Sequence, residues 1–259
     1  MWTFTAQMSL VRDRLTHVSI GTGPEATEVK RLVAAILARC GPVEDWIVPR
    51  RYPDGLALCV IDSIQSIGVR YASVEHVVSN YRGFRSAQGA SAAHDGVVEL
   101  SDAFTELGGV DAWAASVGNR HRTSTHHGAP LKAQVVYDAC QMFIHRGITS
   151  ASDLREATDL EGLASEVEDD WRGLPGQRSG ISWNYLRILA GGSGVKPDRM
   201  IRRFVAASLG RPESSFADSE LVALVTAAAE TIEVETFVAD HAIWRSQSGR
   251  KALDSGVSQ

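Results

Sequence analysis

The strongest candidate for chemistry in this sequence is a single carboxylate, Asp198, in a strongly basic segment. Residues 171–212 contain no other acid and eight basic side chains, namely Arg172, Arg178, Arg187, Lys196, Arg199, Arg202, Arg203 and Arg211. Neighbouring arginines and a helix N-terminus both favour the ionised form of an acid. Such a carboxylate can stabilise a positive charge that develops beside it, or it can simply cap a helix.

The pattern around Asp198 predicts two helices separated by a glycine-rich loop. The Leu-Pro-Gly sequence at residues 174–176 marks a turn, because Pro lacks a backbone N–H and Gly is conformationally loose. The helix after this turn has an apolar face formed by Ile181, Tyr185, Ile188 and Leu189. Glycines at residues 191–194 end that helix, and Pro197 occupies the first turn of the next one. Asp198 is therefore expected in the first turn of the second helix.

Residues 174–204 resemble the helix-hairpin-helix and Gly/Pro-Asp element of the endonuclease III superfamily of DNA glycosylases. The Leu-Pro-Gly hairpin is present, and Asp198 follows Gly176 by 22 residues, which is the family separation. Leu186 is in phase with the family helix, and Arg202 or Arg203 matches the basic position after the Asp.

The resemblance implies a role for each matching residue. Asp198 would be catalytic, stabilising the oxocarbenium-like sugar that forms when an N-glycosidic bond breaks, or orienting the attacking water. Backbone amides of the hairpin would bind a DNA phosphate without reading sequence. The predicted phosphate contacts are Gly176, Arg178, Gly180, Lys196, Arg199 and Arg202.

The hairpin departs from the family pattern at two positions. Arg178 stands where the family usually has a second Gly, so the phosphate-binding geometry of the turn is altered. Gly180 stands where bifunctional members carry a Lys. Without that amine no Schiff base can form at this position, and no AP-lyase activity is expected.

A second stretch of resemblance lies at residues 56–84. Its Ser63-Ile64-Gln65-Ser66 run is similar to the family's Ser-x-Gln motif, after which side chains enter the DNA or line the base pocket. By this analogy, the candidates for filling the gap or touching a flipped base are Gln65, Ile67, Arg70 and Tyr71. Because the resemblance implies a pocket for a flipped base, three further aromatic residues are expected near it, namely Trp113, Trp183 and Tyr185. A polar turn between two helices explains the same motif equally well, and core packing is the stronger interpretation for Tyr185.

The implied fold is mainly all-α, a two-lobed helical HhH-GPD glycosylase-like fold with a cleft between its helical subdomains. The expected organisation is an N-terminal segment at residues 1–50 that packs on the second lobe, and a helical core lobe at residues 51–172. The hairpin and catalytic Asp element follow at residues 173–212, and C-terminal helices at residues 213–259.

Composition agrees with an ordinary globular protein and limits the alternatives. The chain has 259 residues, of which 44% are hydrophobic and 22% charged, and a net charge of −5. No apolar run approaches eighteen residues, so we expect a cytoplasmic protein with no membrane contact. The three cysteines are scattered, which favours reduced thiols, and none follows Cys140, which excludes the family's iron-sulfur cluster. We expect no cofactor and no metal.

The histidine-rich run at residues 119–128, NRHRTSTHHG, allows three interpretations. A solvated loop is favoured over a phosphate-contacting loop, and both are favoured over a metal site, because no ligand spacing is recognisable.

The predicted function is therefore a monofunctional glycosylase that removes a flipped, modified base from double-stranded DNA and leaves an abasic site. A monomer is expected. Alternatives are excision of modified bases from foreign (phage) DNA in defence, a catalytically inactive DNA-binding protein, and a helical protein-interaction domain.

Overall fold

The structure is a computed structural model that describes residues 24–159 and 162–248. Within these ranges it is all-helical and has no β-strand, which confirms the all-α prediction for this part of the chain. The twelve α-helices of the described residues are α1 Ala26–Cys40, α2 Leu56–Gln65, α3 Tyr71–Ala87, α4 Val97–Leu107, α5 Val110–Ser116, α6 Lys132–His145, α7 Ala151–Asp159, α8 Leu163–Gly173, α9 Ile181–Leu189, α10 Arg199–Leu209, α11 Asp218–Ile232 and α12 Thr236–Ser248. Two short 3₁₀ helices lie at Val43–Asp45 and Glu213–Ser215.

The chain divides into two compact units. We call Arg50–Gly192 the central unit, and the described residues up to Pro49 and from Ser193 onward the terminal unit. The boundary falls inside the segment 173–212 that the sequence suggested as one element. Residues 1–23 of the expected N-terminal segment and residues 249–259 of the expected C-terminal helices lie outside the described residues.

The central unit is built around α2, all of whose ten residues are buried. This helix is apolar on nearly every side, LALCVIDSIQ, and such a helix is stable only when other helices surround it. Helices α3, α4, α6 and α9 pack against it. The predicted pocket residue Gln65 thus belongs to the most buried helix of the unit.

The C-terminal end of α2 is held by a buried cation. Lys132, at the start of α6, is 2% exposed, and its Nζ donates to the carbonyl oxygens of Gln65 at 2.9 Å and Ile67 at 2.5 Å. Carbonyl groups at a helix C-terminus have no partner inside the helix, so a cation placed there satisfies them. Lys132 therefore fixes the direction in which the chain leaves α2.

The terminal unit consists of α1, α10, α11 and α12 packed around one apolar core. Each helix supplies fully buried side chains, such as Leu32, Phe204, Leu224 and Ile243. Helix α1 joins the three helices from the other end of the chain, so this core depends on contacts between residues far apart in sequence. None of the described helices of either unit combines the length and apolar composition that a bilayer crossing requires.

Candidate functional site

The Leu-Pro-Gly turn connects α8 to α9 in the central unit, as the sequence predicted. Leu174 caps the end of α8, and the Gln177 N–H donates to the Leu174 carbonyl at 3.0 Å, which closes the turn. Gly176 has φ of 81°, in the left-handed region that favours glycine. Gly180 has φ of 74° and stands at the N-cap of α9.

The hairpin is held from inside by a chain of buried hydrogen bonds. Trp171 on α8 donates from Nε1 to the Ser182 hydroxyl on α9 at 3.0 Å, and that hydroxyl donates to Gln177 Oε1 at 2.5 Å. All three side chains are nearly or fully buried. The rings of Trp171 and Trp183 pack beside this chain with their centroids 6.0 Å apart. These buried contacts hold the hairpin turn in one conformation.

The outer side of the hairpin presents backbone donors. The N–H groups of Gly176, Arg178 and Ser179 donate to no group within the described part of the chain, and all three residues are exposed. The Gly180 N–H differs, because it donates inward to the Gln177 carbonyl at 3.0 Å. The phosphate contact predicted for Gly180 would therefore need this turn to open, whereas Gly176 and Arg178 have free amides.

The histidine-rich run forms a compact loop next to the hairpin. The Thr123 N–H donates to the Pro130 carbonyl at 3.0 Å and the Lys132 N–H to the His121 carbonyl at 2.8 Å. A side chain at Gly176 would meet Thr123 Cβ at 3.1 Å, so the loop lies directly against the turn. His126 and His127 at its tip are exposed. No group of three or more metal-ligating side chains occurs among residues 24–159 and 162–248.

Asp198 is the N-cap of α10 in the terminal unit. Its backbone is extended, with φ of −80°, and its Oδ1 accepts the N–H groups of Met200 at 2.7 Å and Ile201 at 3.2 Å. This geometry satisfies two of the donors that a helix N-terminus leaves free. Its Oδ2 forms no hydrogen bond or ion pair with any described residue, and the side chain is half-buried. One oxygen is thus held in place while the other is open.

The three arginines of α10 have different environments. Arg199, next to Asp198, is exposed and makes no ion pair within the described residues. Arg202 pairs with Asp218 and donates to the carbonyls of Glu213 at 3.2 Å and Phe216 at 2.5 Å. Arg203 lies 3.8 Å from the Glu213 carboxylate. The phosphate contact predicted for Arg202 would have to break bonds that tie α10 to α11, so Arg199 is the better placed cation.

A second carboxyl group lies near Asp198 and was missed by sequence reasoning. Asp240, on α12, accepts the backbone N–H of Lys196 at 3.1 Å. Burial raises the pKa of Asp240 to about 8, and the negative charge of Asp198 adds to this increase. The available signal in the sequence was that Asp240 follows the apolar residues 237–239 in a predicted helical stretch. The phosphate contact predicted for the side chain of Lys196 remains a prediction.

The predicted pocket residues on and after α2 differ in exposure. Gln65 is buried, whereas the three that follow α2 are half-buried or exposed. Gln65 is 1% exposed, accepts from Asn119 Nδ2 at 3.0 Å, and has a buried Nε2 with no hydrogen-bond partner among the described residues. Ile67 is half-buried, while Arg70 is exposed at the N-cap of α3 and makes no ion pair within the described residues. Tyr71 is half-buried and donates from its hydroxyl to Asp62 Oδ2 at 2.9 Å.

Two of the predicted aromatic residues, Trp113 and Trp183, are core residues rather than pocket residues. Trp113 and Trp183 are 0% and 1% exposed, and Trp113 stacks on Phe104 with centroids 4.5 Å apart. This corrects their expected place beside a ligand, because neither ring is accessible. Tyr185 is half-buried with its hydroxyl 3.5 Å from that of Tyr71.

The hydroxyls of Tyr71 and Tyr185 belong to a buried cluster around Asp62, which sequence reasoning also missed. Tyr52 donates to Asp62 Oδ2 at 3.0 Å, beside the bond from Tyr71. Burial, with the negative charge of Asp62, raises the pKa of all three tyrosines well above the ordinary value. The cluster therefore stays a set of neutral hydroxyl donors, and it joins the segment before α2 to α3 and α9.

Fold and geometry define the chain as an all-α protein of two compact units, with an amide-lined hairpin in one and an open cap carboxylate in the other. The chain belongs to the family described as Domain of unknown function (DUF8548), whose model matches residues 30–248. No curated protein and no solved structure matches it significantly.

Proposed function

We propose that this protein is a monofunctional DNA glycosylase that hydrolyses the N-glycosidic bond of a flipped, modified base. The observation that carries the proposal is the geometry of Asp198. Its carboxylate is anchored by the Met200 and Ile201 amides through Oδ1 and leaves Oδ2 open, 22 residues after the glycine of a hairpin with free amides. Both features occur in the order and at the separation of the family that this segment resembles.

The proposed chemistry needs an ionised acid in a fixed orientation. As the bond to the base breaks, positive charge develops on the sugar, and a carboxylate nearby lowers the energy of that state or orients the attacking water. The anchored Oδ1 of Asp198 fixes the carboxylate plane, so that Oδ2 can act without rotation of the side chain.

The hairpin would bind the DNA backbone. Free N–H groups at Gly176, Arg178 and Ser179 suit a phosphate oxygen, since backbone amides bind phosphate without reading sequence. The exposed guanidinium groups of Arg178 and Arg70 add positive charge in the same unit. Ile67 and Tyr71 remain the candidates for contact with the extruded base or with the gap it leaves. Gln65 is buried, so its side chain cannot contact the base directly in this conformation.

The chain should release bases without cutting the strand. The family position of the Schiff-base lysine is Gly180, whose side chain is a hydrogen atom. Borohydride treatment during the reaction should therefore trap no covalent protein–DNA complex. A trapped complex would contradict the monofunctional mechanism.

The decisive experiment is abasic-site detection on a panel of duplexes with alkylated, oxidised, deaminated or mismatched bases. Wild-type protein should release at least one of these bases, and Asp198→Asn should release none while it still binds the duplex. Asp153→Asn is the matched control, because Asp153 likewise accepts backbone amides at a helix start, from Thr149 at 2.8 Å and Ser150 at 2.9 Å. The control should keep base release.

A second candidate function is a DNA-binding protein without turnover. It is favoured by the cap geometry, which accounts for Asp198 with no catalytic role. This candidate predicts salt-dependent binding to duplex DNA and no base release by the wild type on any duplex of the panel. Absence of both binding and release would exclude both candidates.

A further inference from the structure

Asp240 is connected to Asp198 through the backbone of Lys196. Asp240 Oδ1 accepts the Lys196 N–H at 3.1 Å, and the Lys196 carbonyl accepts the Asp198 N–H at 2.6 Å. Two hydrogen bonds thus link α12 to the N-cap of α10, while the intervening Pro197 is buried. The turn from which the Asp198 side chain projects is therefore tied to Asp240.

The charged groups that act on Asp240 within the described residues are Asp198, which raises its pKa, and Lys196, which lowers it. Helix α12 packs on α1, α10 and α11, and no charged group among the described residues of α1 or α11 contributes to the pKa shift of Asp240. With a pKa of about 8, Asp240 is mostly protonated at neutral pH.

We propose that Asp240 is a positioning residue for Asp198, because its carboxyl group holds the Lys196 turn from which the Asp198 side chain projects. This inference rests on the proposed function for its catalytic consequence. Its structural part, the link from α12 to the Lys196 amide, stands on the hydrogen bonds alone.

The neutral form serves two purposes. A protonated Asp240 can accept the Lys196 N–H while it adds no second negative charge beside the carboxylate that must face the sugar. When Asp240 ionises, the added charge opposes the approach of an anionic DNA backbone. The catalytic efficiency, kcat/KM, should therefore fall above about pH 8.

Two substitutions of Asp240 separate its role in holding the Lys196 turn from the effect of its charge. Asp240→Asn is neutral at every pH and keeps an oxygen that can accept the Lys196 N–H, whereas Asp240→Ala keeps neither the oxygen nor the proton. At pH 7 the Ala variant should lose about 10- to 100-fold in kcat through misplacement of Asp198, and the Asn variant should restore most of this loss. Glu235→Gln is the control, since Glu235 is an exposed acid beside the same helix.

The pH profile gives the readout that a purely structural role would not change. Wild-type kcat/KM should decline above about pH 8, and the decline should disappear in Asp240→Asn but persist in Glu235→Gln. If the decline persists in Asp240→Asn, or if Asn is as damaging as Ala at pH 7, the inference is wrong.

A measurement on the wild type keeps the inference independent of the proposed function. The backbone amide of Lys196 should show an NMR chemical-shift titration with a midpoint of about 8, because its acceptor changes charge. A flat response between pH 6 and pH 9.5 would overturn the inference even in an active enzyme. If the wild type releases no base but the amide titrates, the proposed function fails and the link between α12 and the Lys196 turn remains.

Discussion

The hydrogen bonds inside the hairpin make Ser182→Ala the most informative test of how the turn is held. The Ser182 hydroxyl is 3% exposed, accepts from Trp171 Nε1 at 3.0 Å and donates to Gln177 Oε1 at 2.5 Å. Alanine removes both bonds while the change in volume is small. A buried indole N–H and a buried amide oxygen are then left without a partner.

The expected cost follows from these two groups. A buried donor or acceptor that loses its partner costs about 1–3 kcal/mol, so the variant should lose about 2–4 kcal/mol in the free energy of unfolding. Urea denaturation measures the loss, and a slope of about 2 kcal/mol per molar converts it to a fall of about 1–2 M in the midpoint. Because the chain has two units, the loss should appear in the transition of the central unit.

Ser179→Ala is the matched control on the same turn. Ser179 is exposed, and its hydroxyl makes only a 3.4 Å contact with the Ile181 N–H, so alanine should change stability by about 0.5 kcal/mol or less. Equal losses in the two variants, or a loss below about 1 kcal/mol in Ser182→Ala, would show that the buried chain does not hold the hairpin.

Three further predictions concern other parts of the chain. Lys132→Met should cost about 2–4 kcal/mol in urea denaturation, because the carbonyls at the end of α2 lose a buried donor, and a loss under about 0.5 kcal/mol would contradict this. Gly176→Ala should cost about 1–2 kcal/mol and weaken duplex binding, because φ is 81° and Thr123 lies at 3.1 Å, whereas Gly173→Ala has open space and should cost nothing. Asp240→Asn should be more stable than the wild type at pH 9 but equal at pH 4. The raised pKa makes wild-type stability fall as pH rises from 3.8 to about 8, with a ceiling of about 6 kcal/mol, and equal stability at pH 9 would refute this.

Helices and turns could be predicted where the sequence signal lies in the element itself or in its immediate neighbours. The apolar face of Ile181, Tyr185, Ile188 and Leu189 predicted a helix after the Leu-Pro-Gly turn, and the structure has α9 at Ile181–Leu189. The Leu-Pro-Gly turn was also predictable, because the conformational limits of Pro and Gly act on their immediate neighbours. Pro197 and the glycines before it predicted that a helix starts here, but Pro197 and Asp198 were wrongly expected in its first turn. The structure begins α10 at Arg199, so Asp198 is the N-cap and Pro197 precedes the helix.

Contacts across long sequence separations could not be predicted. Lys132 bonds to the Gln65 carbonyl 67 residues away, and Asp240 bonds to the Lys196 N–H 44 residues away. Nothing local marks either pair, since each depends on how whole helices pack. The tryptophans show the same limit, because an aromatic residue on a helix gives the same pattern whether it faces a core or a ligand. Trp113 and Trp183 turned out to face the core.

The two explanations of Asp198, as a helix cap and as a catalytic acid, do not compete for the same atoms. The cap uses Oδ1, with the amides of Met200 and Ile201, while the proposed chemistry uses Oδ2. Asn caps a helix about as well as Asp does, so Asp198→Asn removes the charge and keeps the anchor of α10. A loss of base release in this variant therefore cannot be a consequence of a damaged helix start. The capping geometry makes the proposal testable, because it separates the fold of the site from its charge.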